Sequence, residues 1–240
     1  MRLDKYLSYA LNLTRSEIGI FIKKNEILVN DTKIIKKDYK IDEDKDQIKV
    51  NGEVITYKKF VYYMFNKPAG YVCSKKGFTN NTIYDFFDAT KYELSSIGRL
   101  DKDTEGLLIV TNDGALNHFL TSPLNHIDKK YYVEIDDDLN DKEIKEFEEG
   151  IIINDGDNTP FKTDKAQIEK IDSNKYYVTI HEGKFHQIKR MFAYFKKEVR
   201  YLKRVSFGKI NLDDNLNLGE YRELTSEELE LLKEKYISVK

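Results

Sequence analysis

Residues 96–116 read SIGRLDKDTEGLLIVTNDGAL. Leu107 to Thr111 is a short apolar run of strand-forming residues, which predicts a buried strand. Before it lies a loop in which Arg99, Asp101, Asp103, Thr104 and Glu105 stand between Gly98 and Gly106. A loop held by rigid neighbours is where a reactive carboxylate is best positioned. Such a carboxylate needs a nearby cation to stay ionised once a substrate excludes water. Arg99 or a basic segment elsewhere in the chain supplies one. The same pattern also describes a polar hairpin loop with a local salt bridge, so by itself it names candidates and no chemistry.

Outward from this stretch, the chain alternates irregularly. Upstream, Phe60 to Phe65 is a continuous apolar run that predicts a buried strand, and Asn66-Lys67-Pro68-Ala69-Gly70 predicts a turn. Downstream, strands are predicted over Lys130 to Ile135, Ala166 to Ile171, Lys175 to His181 and Gly208 to Leu212. Helices fall around 114–121, 140–149 and 186–195, and Thr225 with Glu228 caps a last amphipathic helix. Irregular alternation points to α+β rather than a doubly wound parallel sheet.

The first 58 residues have a different texture. Leu3, Tyr6, Leu7, Ala10 and Leu11 recur at helical spacing, and Thr14 with Glu17 forms a capping box for a second helix starting near Arg15. Asn25, a residue that tolerates the left-handed conformation, is expected to end that helix. Ile27-Leu28-Val29 and Lys33-Ile34-Ile35 read as strands around an Asn30-Asp31 turn, with a further strand at the end of the unit. The domains are therefore set at 1–58 and 59–240. The small unit carries Arg2, Lys5, Arg15, Lys23, Lys24 and Lys33 and offers no buried reactive group. That suits docking on RNA by shape and charge, or simply a small solvated domain.

A second basic segment is HEGKFHQIKRMFAYFKK, residues 181–197. Its helix places His186, Lys189 and Arg190 on one side and Ile188, Met191, Phe192 and Phe195 toward the core. With Lys184, Lys196, Lys197, Arg200, Lys203 and Arg204 it is the most basic stretch of the chain. Phosphate contacts of this kind fix register without reading sequence, although a solvated helix face has the same pattern. Lys129-Lys130-Tyr131-Tyr132 opens a strand with an aromatic beside cations, an arrangement suited to stacking on an unpaired base.

Composition narrows the classes. The 240 residues are 40% hydrophobic and 34% charged, and no run approaches a membrane span. The opening MRLDKYLSYA lacks the apolar core of a secretory signal. Cys73 is the single cysteine, which excludes an internal disulfide and a thiolate metal cluster. Together these features predict a cytoplasmic protein. The four histidines, His118, His126, His181 and His186, show no metal-ligand spacing. A net charge of −2 does not itself suggest nucleic acid, so an RNA partner rests on the local basic patches.

At these motifs the chain resembles RNA pseudouridine synthases of the ribosomal small-subunit synthase A type. The resemblance rests on Gly98-Arg99-Leu100-Asp101-Lys102-Asp103-Thr104-Glu105-Gly106-Leu107 and its continuation Thr111-Asn112-Asp113-Gly114. It extends through Asn66-Lys67-Pro68-Ala69-Gly70-Tyr71-Val72, Lys129-Lys130-Tyr131, Glu182 to Met191, and Gly219 to Thr225. Residues 1–50 resemble the small RNA-binding domain first known from a ribosomal small-subunit protein. There, Asn25 and Asp31 replace the usual glycines, and Gly19 replaces a larger helix former.

The resemblance implies an α+β protein: a small N-terminal α/β RNA-binding domain followed by a catalytic domain with a bent, mostly antiparallel sheet. It implies Asp101 as the catalytic carboxylate, Lys189 as the basic residue paired with it, and Arg99 bonded near the same loop. Tyr131 takes the place of the tyrosine that stacks on the target uracil and can help remove a proton. Arg2, Lys5, Arg15, Lys23, Lys24, Lys184, His186, Arg190 and Arg204 are the expected RNA contacts. Uridine isomerisation changes no oxidation state and needs no energy source, so no cofactor and no metal are expected. Phe185-His186-Gln187 resembles the small-subunit branch, which makes ribosomal RNA or a partly assembled small subunit the expected partner of a monomer. A large-subunit RNA substrate is the alternative within the family. A non-catalytic assembly factor and a hydrolase using Asp101 with Asp103 are the rivals outside it. Alternate residues of an extended loop point apart, which counts against that carboxylate pair.

Overall fold

The computed structural model describes residues 1–43, 45–74, 81–88 and 92–238. The chain divides into two compact units, Met1–Phe60 with Thr90–Glu93, and Val61–Ala89 with Leu94–Lys240.

In the first unit, α1 (Leu3–Ala10) and α2 (Arg15–Lys24) accompany a four-stranded antiparallel sheet. Its strands are β1 (Ile27–Val29), β2 (Thr32–Lys33), β3 (Ile48–Val50) and β4 (Glu53–Ile55), in the order β2-β1-β3-β4. The Thr14–Glu17 capping box starts α2, the Glu17 carboxylate accepting from the Thr14 N–H at 2.8 Å. Asn25 does not end the helix by a left-handed turn; its φ of −120° is extended. Instead its side-chain amide donates to the Phe21 carbonyl at 2.8 Å, capping the last turn from outside the backbone. Asn30 and Asp31, with φ of 49° and 61°, make the tight β1–β2 turn that two consecutive left-handed residues favour. Leu3, Leu7, Ile27 and Ile48 form the centre of this unit's core.

The second unit is built on a nine-stranded sheet. Its strands are β5 (Tyr62–Lys67), β6 (Ser95–Ser96), β7 (Glu105–Thr111), β8 (Lys129–Ile135), β11 (Gln167–Asp172), β12 (Lys175–Ile180), β13 (Val199–Phe207), β14 (Ile210–Asn211) and β15 (Tyr221–Glu223). A separate hairpin joins β9 (Ile152–Asn154) to β10 (Pro160–Lys162). The main order is β11-β12-β8-β13-β7-β5-β15, and every pairing is antiparallel except β13 with β7. Helices α3 (Gly114–Thr121), α4 (Asp141–Glu149), α5 (Gln187–Tyr194) and α6 (Ser226–Ser238) complete it. Helices α3 and α6 bury Leu116, Leu120 and Leu232 against Leu107, Ile109 and Phe207. Phe147 of α4 and Phe192 of α5 lie with centroids 5.1 Å apart, an attractive tilted pair. Among the described residues no helix is long and apolar enough to cross a membrane.

Three features depart from the sequence expectations. Arg200, Lys203 and Arg204 give the segment after α5 the look of a basic surface and conceal its alternation. In fact Leu202, Arg204 and Ser206 face inward, and β13 joins the two halves of the sheet. The apolar run from Phe60 becomes strand only at Tyr62, but the strand continues through Asn66 and Lys67, where a turn is expected. The strand expected over Gly208 to Leu212 shrinks to β14, while β4, β6, β9, β10 and β15 have no counterpart among the expected strands.

Candidate active site

The loop before β7 is a tight turn closed by the Thr104 N–H donating to the Asp101 carbonyl at 3.1 Å. Two neighbours hold its backbone. Lys67, at the end of β5 and fully buried, points its ammonium at the carbonyls of Thr104 (2.8 Å), Asp101 (3.0 Å), Pro68 (3.1 Å) and Lys102 (3.3 Å). The Gly70 N–H adds a bond to the Lys102 carbonyl at 2.7 Å. Burial pulls the Lys67 pKa below its ordinary value, opposed by the acidic groups of Cys73, Asp103, Asp101 and Glu105. Cys73 exchanges two bonds with Leu100, its sulfur accepting from the N–H and donating to the carbonyl, each at 3.4 Å. Burial pushes the Cys73 thiol up.

Gly106 explains how the turn meets the sheet. Its φ is +100°, and a Cβ there would lie 2.3 Å from the Arg204 carbonyl oxygen. Only glycine lets β13 run beside β7 in the Lys203–Glu105, Arg204–Gly106 register. A bulge between Arg204 and Ser206 in the pairing with β8 sits at the same level.

A cleft in this unit is lined by Arg99, Asp101, Thr104, Tyr131, His186 and Lys189, with Lys184 at its edge. The four expected catalytic residues thus come together, joined by two of the expected RNA contacts. Asp101 stands with Oδ2 at 3.8 Å from Lys189 Nζ and Oδ1 at 3.7 Å from His186 Nε2. Lys189, however, makes its hydrogen bond to Asp103, at 2.5 Å. Burial raises the Asp103 carboxyl, but the Lys189 bond and charge prevail and hold it below its ordinary value. The loop is a turn and not extended, so Asp101 and Asp103 do not point apart as expected; they share one ammonium. Two carboxylates around a lysine do not make a metal centre, and no group of three or more His, Cys, Asp or Glu among the described residues could hold one.

Tyr131 lines the cleft from β8 and is 8% exposed. Arg99 is exposed at the rim, with no ion-pair partner among the described residues. Thr104 is buried on the cleft wall, and its hydroxyl has no hydrogen-bond partner among the described residues. Lys184 is exposed and stands 3.3 Å from Asp155, while Arg190 donates to the Asn154 carbonyl of β9 at 2.6 Å. Arg204 is not a surface cation: it is 1% exposed, and its Nε donates to the Leu107 carbonyl at 2.8 Å. Its inward direction in β13 removes it from the RNA contacts.

In the first unit, Arg2, Lys5 and Arg15 line a common surface cavity with Tyr9 and Lys37. Lys37 carries no signal in the sequence, and Lys23 and Lys24 lie outside that cavity on the last turn of α2. Lys67 is the other residue that sequence reasoning misses. The signal for it is a lysine continuing an apolar strand, a position where burial forces a lysine to find acceptors.

Residues 61–194 match the family model described as RNA pseudouridylate synthase. An uncharacterized RNA pseudouridine synthase of Bacillus subtilis (strain 168) is 40% identical over 240 residues, covering 98% of this chain and 99% of the relative. The ribosomal small subunit pseudouridine synthase A of Haemophilus influenzae is 38% identical over 234 residues, covering 97% and 99%. A crystal structure of a pseudouridylate synthase superposes with a TM-score of 0.67 at 37% identity, over 97% of this chain and 99% of that one.

Proposed function

Since the chain belongs to the RNA pseudouridylate synthase family, we propose that it isomerises a uridine of small-subunit ribosomal RNA, with Asp101 as the reactive carboxylate. The observation that carries this reading is the cleft itself. An aspartate unpaired by any direct hydrogen bond among the described residues stands between two basic side chains, beside a nearly buried tyrosine. The small-subunit assignment rests on the relatives of that name.

The target uridine leaves its stack to enter the cleft, at a cost of a few kcal/mol if it is paired. Its uracil lies against the Tyr131 ring. Asp101 acts at the sugar or base while the Lys189 ammonium holds positive charge near it as water is excluded. Arg99 and Lys184 at the rim hold flanking phosphates, which position without reading sequence. Residues 1–58 supply a second grip on the RNA through Arg2, Lys5 and Arg15. The protein acts as a monomer in the cytoplasm, on ribosomal RNA or a partly assembled small subunit.

The test is a carbodiimide-based pseudouridine map of small- and large-subunit RNA after incubation with the protein and with Asp101→Asn. One new stop in small-subunit RNA, absent with the variant, supports the whole reading. A stop in large-subunit RNA keeps the chemistry and replaces the substrate. Equal stops with the variant remove Asp101 from its role.

A further inference from the structure

We propose that His186 is the proton carrier of the isomerisation, taking the proton from carbon 5 of the target base and returning it to nitrogen 1. The inference rests on Asp101 being the carboxylate at the reacting sugar.

The reaction defines where such a group must sit. The bond from sugar carbon 1′ to nitrogen 1 breaks, and its electron pair leaves with the base. The base turns, and carbon 5 bonds to carbon 1′ while still carrying its hydrogen. That hydrogen must then leave as a proton, its electron pair returning to the ring, and a proton must reach nitrogen 1. One C–N bond is broken, one C–C bond is formed, one proton moves, and the base undergoes no net oxidation or reduction. Carbon 5 is by then attached to the atom at which Asp101 acts. Its proton is therefore released within a few ångströms of the Asp101 carboxylate.

Two basic side chains flank that carboxylate, Lys189 at 3.8 Å and His186 at 3.7 Å. An ammonium has no lone pair and cannot accept a proton. Lys189 is also committed to Asp103. A neutral imidazole has one ring nitrogen that accepts and one that donates, and histidine is the side chain suited to reversible proton transfer near neutral pH.

His186 is also held for the task. Its backbone is left-handed, with φ 49° and ψ 32°, immediately before α5. Histidine is among the residues that tolerate this region, and such conformations gather at active sites. Its ring stacks on Phe185 with centroids 3.8 Å apart and planes 18° apart. The Arg190 guanidinium lies 5.1 Å from the Phe185 ring, and Arg190 is itself tied to the β9 carbonyl of Asn154. The imidazole is thus fixed through a stack anchored on the β9–β10 hairpin. The charges around it oppose one another. The carboxylates of Asp101 and Asp103 and the cations of Lys189, Lys184, Arg99 and Arg190 lie around it, with Tyr131 in the same cleft.

The experiment uses the full chain under single-turnover conditions on transcribed small-subunit RNA carrying uridine labelled at carbon 5 with tritium or deuterium. His186→Asn keeps a residue that accepts the left-handed backbone, and His186→Gly leaves room for added imidazole. We expect His186→Asn to slow tritium release by about 100-fold or more, the range of general acid–base catalysis. Its pH–rate profile should lose the acid limb of the wild type, and deuterium should slow it further. Imidazole should restore His186→Gly at least about tenfold, a response no merely structural role would give. A His186→Asn rate within about threefold of wild type overturns the proposal. So does a defect in His186→Gly that imidazole leaves untouched, or an isotope effect that appears in Tyr131→Phe instead. If the wild type itself releases no tritium, the failure belongs to the proposed function and not to His186.

Discussion

The ammonium of Lys67 donates to the carbonyl oxygen of Asp101 at 3.0 Å, joining two residues 34 positions apart. The same nitrogen also reaches the carbonyls of Lys102 and Thr104, so one buried cation gathers the backbone of the whole turn. The side chain that the chemistry needs is thereby held without being touched, and its oxygens stay available to substrate.

Lys67→Met should therefore affect both stability and turnover. It keeps the volume of the aliphatic stem but takes the Lys67 donor from the buried Thr104 carbonyl and from the more exposed Pro68, Asp101 and Lys102 carbonyls, the last two of which keep a backbone N–H partner, a cost of about 1 to 3 kcal/mol. Urea unfolding should report that destabilisation. Single-turnover rates at saturating RNA should fall by more than tenfold, because the Asp101 carboxylate is no longer held in place.

Thr104→Val should separate stability from function. The hydroxyl is buried and unpartnered among the described residues, so replacing it by a methyl group removes an unsatisfied polar atom. Stability should be unchanged or higher by about 1 kcal/mol. Turnover should fall if that hydroxyl is a partner for substrate in the cleft. Thermal unfolding and the pseudouridine assay on one preparation check both.

Gly106→Ala should be among the most damaging single changes in the chain. The added methyl would meet the Arg204 carbonyl at 2.3 Å, with the backbone at φ +100°. Overpacking and a left-handed alanine together cost about 3 to 5 kcal/mol. Gly98→Ala, with φ +71° but open space around it, should cost less. Comparing the two by chemical denaturation isolates the steric part.

Lys129 makes a prediction about pH. Burial, aided by the nearby Arg204, lowers its pKa to about 8, from an ordinary 10.5. Between those values the unfolded chain binds more protons than the folded one, so this group's contribution to stability rises with pH. Below about pH 8 the charged lysine carries its full burial penalty. The stability difference between wild type and Lys129→Met should therefore shift in favour of wild type as pH rises from 8 to 10. Urea titrations of both proteins at intervals across that range measure it.

Removing residues 1–58 should weaken RNA binding more than it disturbs the remaining fold. The cavity lined by Arg2, Lys5, Arg15 and Lys37 lies in the removed part. Every phosphate that the truncated chain no longer grips should flatten the salt dependence of binding by about one unit of slope. Full-rate modification by the truncated chain in moderate salt would show that this unit is dispensable.

Most of the local structure follows from short-range patterns along the chain. Thr14 with Glu17 starts α2, Asn30-Asp31 turns β1 into β2, and the Leu107 to Thr111 run forms a strand, because capping, turn preference and apolar periodicity are short-range properties. Asp101, Tyr131, His186 and Lys189 also stand out along the chain by residue type within recognisable motifs. What these patterns leave open is direction. Arg204 reads as a surface cation because a charged residue is rarely buried, and only the packing of β13 between β8 and β7 turns it inward. Lys67 reads as a turn residue because the carbonyls it satisfies belong to a loop 34 or more positions away. Lys189 stands 3.8 Å from Asp101 but makes its hydrogen bond to Asp103, since the turn closed by Thr104 brings both carboxylates to one side. Tertiary structure decided these points for one physical reason. A buried charge takes whichever partner the fold brings within about 3 Å, and that proximity is set by contacts between distant segments.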